Sequence, residues 1–453
     1  MSTSVMWFRR DLRLDDHPAL TAAATSGAVV PLYVIDPQLW ATAGAPRRAF
    51  LVAALRSLDA SLDATLVVCH GDPREVVPAV AVAADANDVY ITADHAPAGR
   101  RRDRAVDERL AAVRRRLVRV GSNYTVTPGT TSNGAGKPYG VFTPFFRTWR
   151  GGWQAPRSTQ AVNWRGRGDL ADLNNDFVPS VPPVSLSLPF PGEAAAFDRL
   201  VRFCVDDLAA YPTARDELGH DGTSRLSAAL RFGLLHPRTV LAHAVQQVPD
   251  SGVFQSEIAW REFFADVLFH QPDTAWKNLR TKMDTLVCDT DARARGRFER
   301  WCAGQTGYPI VDAGMRQLLA AGWMHNRARM ITASFLVKDL HLPWQWGARH
   351  FLAHLVDGDV ASNSHGWQWV AGTGTDAAPF FRIFNPVTQG ERFDPDGIYV
   401  RTFVPEVADV ADRHIHAPWR AERPPSRYPA PIVDHARERT DALSRYAAVT
   451  ATR

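Results

Sequence analysis

Several short stretches of this 453-residue sequence set chemically able side chains at regular spacing. In Ser256-Glu-Ile-Ala-Trp-Arg-Glu-Phe-Phe264, Glu257, Trp260 and Arg261 fall at i, i+3 and i+4, so one helical face carries a carboxylate, a large flat ring and a guanidinium. A half-buried tryptophan beside a surface ion pair is the plainer account of that face. Tyr211-Pro-Thr-Ala-Arg215 and Gly222-Thr-Ser-Arg-Leu-Ser227 lead into a helical pattern. Hydroxyls at such a start can cap free N–H groups, and those groups with Arg225 can hold a phosphate, although an ordinary N-cap looks the same. Asp357-Gly-Asp-Val-Ala-Ser-Asn363 brings two carboxylates around Gly358 but lacks the further acidic ligands of a calcium loop, so no metal is expected. The pairs Trp344-x-Trp346 and Trp367-x-Trp369 lie two residues apart, roughly 200° around a helix. One ring of each pair can then face inward and the other a cleft; filling the core of a large α-domain is the simpler use.

The elements that must position these residues follow from periodicity. Residues 5–8, 29–35, 65–69 and 89–92 read as short strands, separated by segments of helical period at 49–62 and 104–117. The alternation predicts a Rossmann-like α/β domain with a parallel sheet over 1–126. No Gly-x-Gly-x-x-Gly or P-loop motif follows any strand, so neither a dinucleotide site nor a P-loop is expected there. Residues 127–191 decay into Gly, Pro, Asn and Ser and read as an interdomain linker, ending in the proline-rich run 178–191. Beyond it, residues 192–453 carry helical periodicity at 193–209, 225–232, 237–248, 256–269, 311–321, 324–339 and 344–355, which predicts an all-α domain.

Composition narrows the class. With 45% hydrophobic and 22% charged residues the chain can bury a large core, and a net charge of +4 permits an anionic partner without requiring one. The stretch 100–119 holds nine arginines against three acids and reads as a solvated helix face, with DNA or pigment contact as the alternative. Four cysteines, at 69, 204, 288 and 302, form no Cys-x-x-Cys pair and suggest neither disulfides nor zinc. No apolar run approaches the roughly 18 residues of a membrane span, and no secretory signal opens the chain, so a cytoplasmic location is expected. Fourteen tryptophans are present, nine of them from Trp260 to Trp419, and that clustering needs a cause.

In their order and length these stretches resemble the photolyase/cryptochrome flavoprotein family, and within it the class I cyclobutane pyrimidine dimer DNA photolyases. The likeness rests on Trp7-Phe-Arg-Arg-Asp-Leu-Arg-Leu-Asp-Asp-His-Pro-Ala-Leu20, Thr223-Ser-Arg-Leu-Ser227, 256–264, 304–318, 323–335 and 357–390, and it runs from Val5 to about Glu406. It implies FAD in the helical domain and a second, antenna chromophore in the α/β domain: a reduced folate, a deazaflavin or a flavin, among which Asp36, Arg48 and 100–104 do not decide. Tyr211, Thr223, Ser224, Arg225, Leu226, Ser227, Arg261, Asn326, Arg329, Asp357, Gly358, Asp359 and Asn363 fall at FAD-contact positions, with Arg329 and Asp357 expected as a buried pair. The implied reaction is light-driven splitting of a pyrimidine dimer flipped out of DNA, a mode for which photolyases are a standing example. Trp260 and Trp369 match the aromatic walls of the dimer pocket, Glu257 the carboxyl that hydrogen-bonds the dimer, and Arg215, Arg327 and Gln389 the DNA-strand contacts.

Two relatives of that reaction are disfavoured by particular residues. The (6-4) photolyases place two histidines at the lesion where this chain has Asn326 and Met330, neither of which does histidine's acid–base work. Plant-type cryptochromes, which signal rather than repair, carry an aspartate where this chain has Asn363, and the 47 residues after Glu406 are short for a signalling tail. For electron transfer, Trp367 and Trp344 match the inner and middle members of a family relay. The outer member has no counterpart, because 283–300 contains no tryptophan; Cys288 and Phe298 are nearest, and Trp346 and Trp301 are the candidate substitutes. A monomer acting on dimer-containing DNA is expected.

Overall fold

The computed structural model describes residues 2–166, 170, 172–173, 190–375 and 382–451. A six-stranded parallel sheet occupies the amino-terminal region: β1 (Ser2–Phe8), β2 (Gly27–Ile35), β3 (Val67–His70), β4 (Ala86–Ala93), β5 (Arg116–Ser122) and β6 (Asn163–Trp164). The order is β3-β2-β1-β4-β5, with β6 paired to β2, and the register sets Val5 of β1 beside Val30 of β2 and Val89 of β4. Val5, Met6, Trp7 and Phe8 are all buried, as a central parallel strand covered on both faces requires. Proline at the first helical turn and aspartate caps start the crossovers: Asp36 accepts from the Gln38 amide (2.8 Å) and Asp72 from the Arg74 amide (2.9 Å).

Three local expectations change. The helix expected at 104–117 is Pro97–Ala112, and the last arginines belong to β5 instead. That strand lies at the sheet edge, where Arg116 pairs with Asp88 across the ladder (2.7 Å) and discourages further strand addition. The stretch 127–191 is not featureless: Phe142–Trp149 is a helix and β6 joins the sheet, whereas most of the proline-rich run 178–191 lies outside the described residues.

Among the described residues from 190 onward there is no strand. The expected helices are present as Glu193–Arg202, Ser227–Phe232, Pro237–Gln247, Gly252–His270, Pro309–Ala321, Asn326–Ser334 and Trp344–His354, joined by Ala292–Cys302, Val360–Ala371, Pro386–Phe393 and His435–Ala451. Π-helical turns at Phe203–Asp207 and Phe335–Asp339 extend two of them. The chain groups into two compact units. One joins the amino-terminal region through Ala209 to Ser224–Pro272, and the other comprises Ala210–Thr223 and Asp273–Arg453. Most of 192–272 therefore packs with the sheet rather than with the later helices.

Side chains from 236–266 explain that grouping. The chain leaving β5 is held at successive backbone positions: Ser122 O by His236 Nε2 (2.9 Å), Asn123 O by Arg261 (3.3 Å), the Thr125 and Val126 amides by Glu262 (2.5 and 3.0 Å) and the Gly129 amide by Asp266 (2.7 Å). Glu262 also accepts from Trp149 Nε1 (2.6 Å). Burial pushes the Glu262 carboxyl up from its ordinary range, against the pull of those three donors.

In the second unit, Gln368 donates to Thr274 O and accepts from the Leu279 amide (2.8 Å each), which fixes Val360–Ala371 against the chain at 274–279. His365 and His350 are both held down to about 4, chiefly by burial, and so stay neutral in the folded protein. An unfolded imidazole titrates near 6.5, so below that pH the unfolded chain binds protons the folded one refuses. This contribution is intact above pH 6.5 and is lost as pH falls toward 4, by roughly 2 kcal/mol per histidine at pH 5. The urea midpoint should therefore drop between pH 7 and pH 5, and His350→Gln should flatten part of the drop; an equal slope in wild type and variant would contradict it.

Candidate functional site

The first unit supplies one half of the sequence-selected residues. Along Gly252–His270, Glu257, Trp260 and Arg261 form a half-exposed row flanked by buried Ile258, Ala259, Glu262 and Phe263. The Trp260 ring stacks on Phe142 with centroids 3.7 Å apart and planes 8° from parallel, and Phe264 leans on it at 5.3 Å. Phe142 thus covers one face of the indole. Phe142, Phe145, Phe146 and Trp149 recur at i, i+3, i+4 and i+7, a helical aromatic stripe that was available in the sequence and went unread inside the supposed linker. Phe145 packs on Phe263 at 5.1 Å, which seats the helix that delivers Phe142.

Arg261 does not serve a surface ion pair. Its guanidinium donates to Asn123 O and Leu230 O (3.3 and 3.2 Å) and lies 4.6 Å over the Tyr124 ring. The hydroxyl cap expected at 223–227 is also absent: the helix begins at Ser227, and Leu226 stands in the capping position with no side-chain bond. Ser224 Oγ accepts instead from the Leu226 amide (3.4 Å), and Ser224 O accepts from Arg199 (3.1 Å). Arg225 has φ +57° and Leu226 has φ −86°, a left-handed residue followed by a right-handed one. Such a pair aims consecutive amides into one concavity suited to an anion.

The second unit holds the rest. Tyr211 is buried and Arg215 lies 5.5 Å over its ring. Thr223 is half-buried at the end of the same segment. Asn326 opens the helix Asn326–Ser334 and is exposed, with its amide 3.9 Å from Met330 Sδ. Arg327 is bound to Asp216 (2.7 Å) and rests 4.2 Å over Phe393, while Gln389 stands half-exposed on Pro386–Phe393. Asp216 is a partner the sequence did not single out.

Arg329 and Asp357 do pair, at 2.8 Å, but only the carboxylate is deeply buried; Arg329 is 26% exposed, with Nε on Met324 O. Gly358 carries the chain to Asp359, which caps Val360–Ala371 by accepting from the Ser362 amide (3.1 Å). On that helix Asn363 donates to Ala348 O (3.0 Å), Trp367 is buried and Trp369 is half-exposed under Arg382 (5.4 Å). Asp357 Oδ1 and Trp367 Nε1 are buried with no hydrogen-bond partner among the described residues. A buried acceptor left open in this way suits a donor N–H of a heteroaromatic ring such as that of FAD.

Each Trp-x-Trp pair splits as expected: Trp344 and Trp367 are buried, Trp346 and Trp369 half-exposed. Trp344 Nε1 donates to Asn278 (2.9 Å). Trp301 lies 6.1 Å from Trp367, Phe298 stacks 5.8 Å from Trp301, and Trp346 is 5.3 Å from Phe298. Trp301 is fully buried, so by itself it cannot be the ring that meets water; Trp346 is the outer end of this row.

Comparison with known proteins places the chain in a family. The family model "DNA photolyase" matches residues 4–161, and "FAD binding domain of DNA photolyase" matches 254–448. The chain is 40% identical to a deoxyribodipyrimidine photo-lyase of Salmonella typhimurium over 99% of each sequence. Among solved structures, a class III photolyase from Agrobacterium tumefaciens superposes with a TM-score of 0.89 at 36% identity, covering 100% of this chain and 98% of that one. An archaeal photolyase from Sulfolobus tokodaii, holding two FAD molecules, gives 0.83 at 28% identity over 98% and 100%. At this identity over nearly the full length of both sequences, the chain belongs to the DNA photolyase family.

Proposed function

We propose that the protein splits cyclobutane pyrimidine dimers in DNA, driven by light, with FAD as its cofactor and a second chromophore as antenna. The observation that carries this is the full-length likeness to a deoxyribodipyrimidine photo-lyase. When bound, reduced FAD excited by near-UV or blue light would supply the electron that opens the cyclobutane ring and would recover it afterwards. The chain's own residues bind, orient and exclude water.

In this reading Asp357 Oδ1 accepts from the flavin ring and Asn363 stands beside it, while Tyr211 and the Thr223–Ser227 turn receive the phosphates. Arg329 pairs with the other oxygen of the Asp357 carboxylate at 2.8 Å and leaves Oδ1 to accept. Trp260 and Trp369 offer flat faces to a flipped dimer, and Glu257 as a carboxylate accepts from a base N–H. Because Phe142 already covers one face of Trp260, the dimer stacks on the other. Asn326 and Met330 bring no titratable group to the lesion positions. Arg215, Arg327 and Gln389 grip the strand, and Arg327 exchanges Asp216 for a phosphate when it does so. No helix among the described residues is long and apolar enough to cross a membrane. We infer a monomer that works in the cytoplasm.

Protein loaded with reduced FAD should remove thymine dimers from DNA under blue light and leave them in the dark; no light-dependent loss would refute the assignment. Trp260→Ala and Trp369→Ala should each weaken binding to dimer-containing DNA by about 1–3 kcal/mol, the usual worth of base–aromatic stacking, while FAD retention stays unchanged. An undiminished affinity would remove that residue from the pocket. After a blue flash on the oxidised holoprotein, Trp367→Phe should abolish the long-lived tryptophan radical, and Trp346→Phe should shorten its lifetime. If the Trp346 and Trp301 variants both behave as wild type, the exit does not run along this row.

A further inference from the structure

We propose that His341, Glu438 and Asp441 form a binding site for a divalent transition-metal ion of the zinc or manganese kind. His341 Nε2 lies 2.8 Å from Glu438 Oε2 and 3.4 Å from Asp441 Oδ2, and one ligand atom of each of the three falls within 4.8 Å of the others. Donors that share one such ion at bonds of about 2.0–2.2 Å stand roughly 3–3.5 Å apart, so small side-chain shifts complete the set. An imidazole with two carboxylates favours zinc or manganese over magnesium or calcium, which take oxygen alone. Two carboxylates and a neutral imidazole also leave a bound dication charge-balanced.

The scaffold holds these donors before any ion arrives. Glu438 and Asp441 are one turn apart on His435–Ala451, so they share a helix face. That helix is fixed at its start, where His435 Nδ1 meets buried Asp339 Oδ1 (2.5 Å) and the His435 amide donates to Tyr308 Oη (3.2 Å). His341 sits on a left-handed turn at φ +54°, and its imidazole is 3% exposed. The open side faces a cleft of about 820 Å³ lined also by Asp289, Asp291 and Arg445, with room for water ligands. Arg445 binds the same Asp441 Oδ2 (2.9 Å) and Asp289 (2.7 Å), so the ion would take Asp441 by a turn of its carboxylate that brings Oδ1 toward His341.

The ion would act as a structural clamp, tying a carboxy-terminal helix to a turn 97 residues earlier. Ligands that far apart form no local metal-binding spacing. None of the three residues belongs to the flavin or lesion positions, so the site is independent of the repair reaction.

The test uses the full-length, FAD-loaded protein, stripped with a chelator and titrated with ZnCl2 or MnCl2 by calorimetry and by thermal unfolding. The expected result is one saturable site for at least one of the two ions, with a rise in melting temperature on binding. His341→Asn keeps a residue that tolerates positive φ while removing the imidazole, and Glu438→Gln removes a charge from the surface-facing side. Each should weaken binding at least tenfold and abolish the thermal shift, with repair activity unchanged. The proposal is overturned if neither ion binds the wild type, or if Glu438→Gln binds as wild type does.

Discussion

A single buried carboxylate organises the first unit. Glu262 takes two backbone amides from the chain leaving the sheet and the indole N–H of Trp149, so one side chain links a strand exit, the aromatic helix Phe142–Trp149 and the helix Gly252–His270. Buried there, the carboxyl has three donors, and removing any of them would leave a buried acceptor without its partner. Glu257, Trp260 and Arg261 ride on the same helix, within five residues of this anchor. Their direction is therefore inherited from a residue with no part in the chemistry. The stack of Phe142 on Trp260 is the visible result, because the helix that presents Phe142 is tethered by the same carboxylate.

The second unit solves a similar problem with neutral groups. Gln368 pins Val360–Ala371 to the chain at 274–279, and Trp344 is held from that side by Asn278. His365 is uncharged there, so the helix bearing Trp367 and Trp369 carries no buried cation beside its rings. The Asp357 carboxylate ahead of this helix is paired with Arg329.

The parts of this architecture that repeat locally could be read from the sequence. Helices such as Pro237–Gln247 and Pro309–Ala321 show their apolar period directly, and β1, β2 and β4 are apolar runs because both of their faces are buried. β5 was hidden because arginines suited to an edge strand look the same as those of a solvated helix. Phe142 was overlooked because glycines and prolines around it suggested a loop, although its spacing to Phe145, Phe146 and Trp149 is helical. The inward and outward split of the Trp-x-Trp pairs was legible. The partners of individual side chains were not: Asp216 for Arg327, Asn278 for Trp344 and the backbone carbonyls for Arg261 are brought together only by the fold. The grouping of most of 192–272 with the sheet rests on hydrogen bonds from 236–266 to 122–129, which no local pattern encodes.

Gly347 adds a constraint of a different kind. A Cβ built there would lie 2.1 Å from Cη2 of Trp367, so the absent side chain is what lets the indole lie against Trp344–His354. A glycine inside a helix is destabilising by about 1 kcal/mol relative to alanine, and the chain accepts this for the close approach. The two positions cannot drift independently in evolution. A side chain at 347 would meet the Trp367 ring, and a smaller ring at 367 is what would make room for it. Substitutions harmful one at a time would be tolerated as a pair, so a homologue that has changed its ring here should have lost this glycine too.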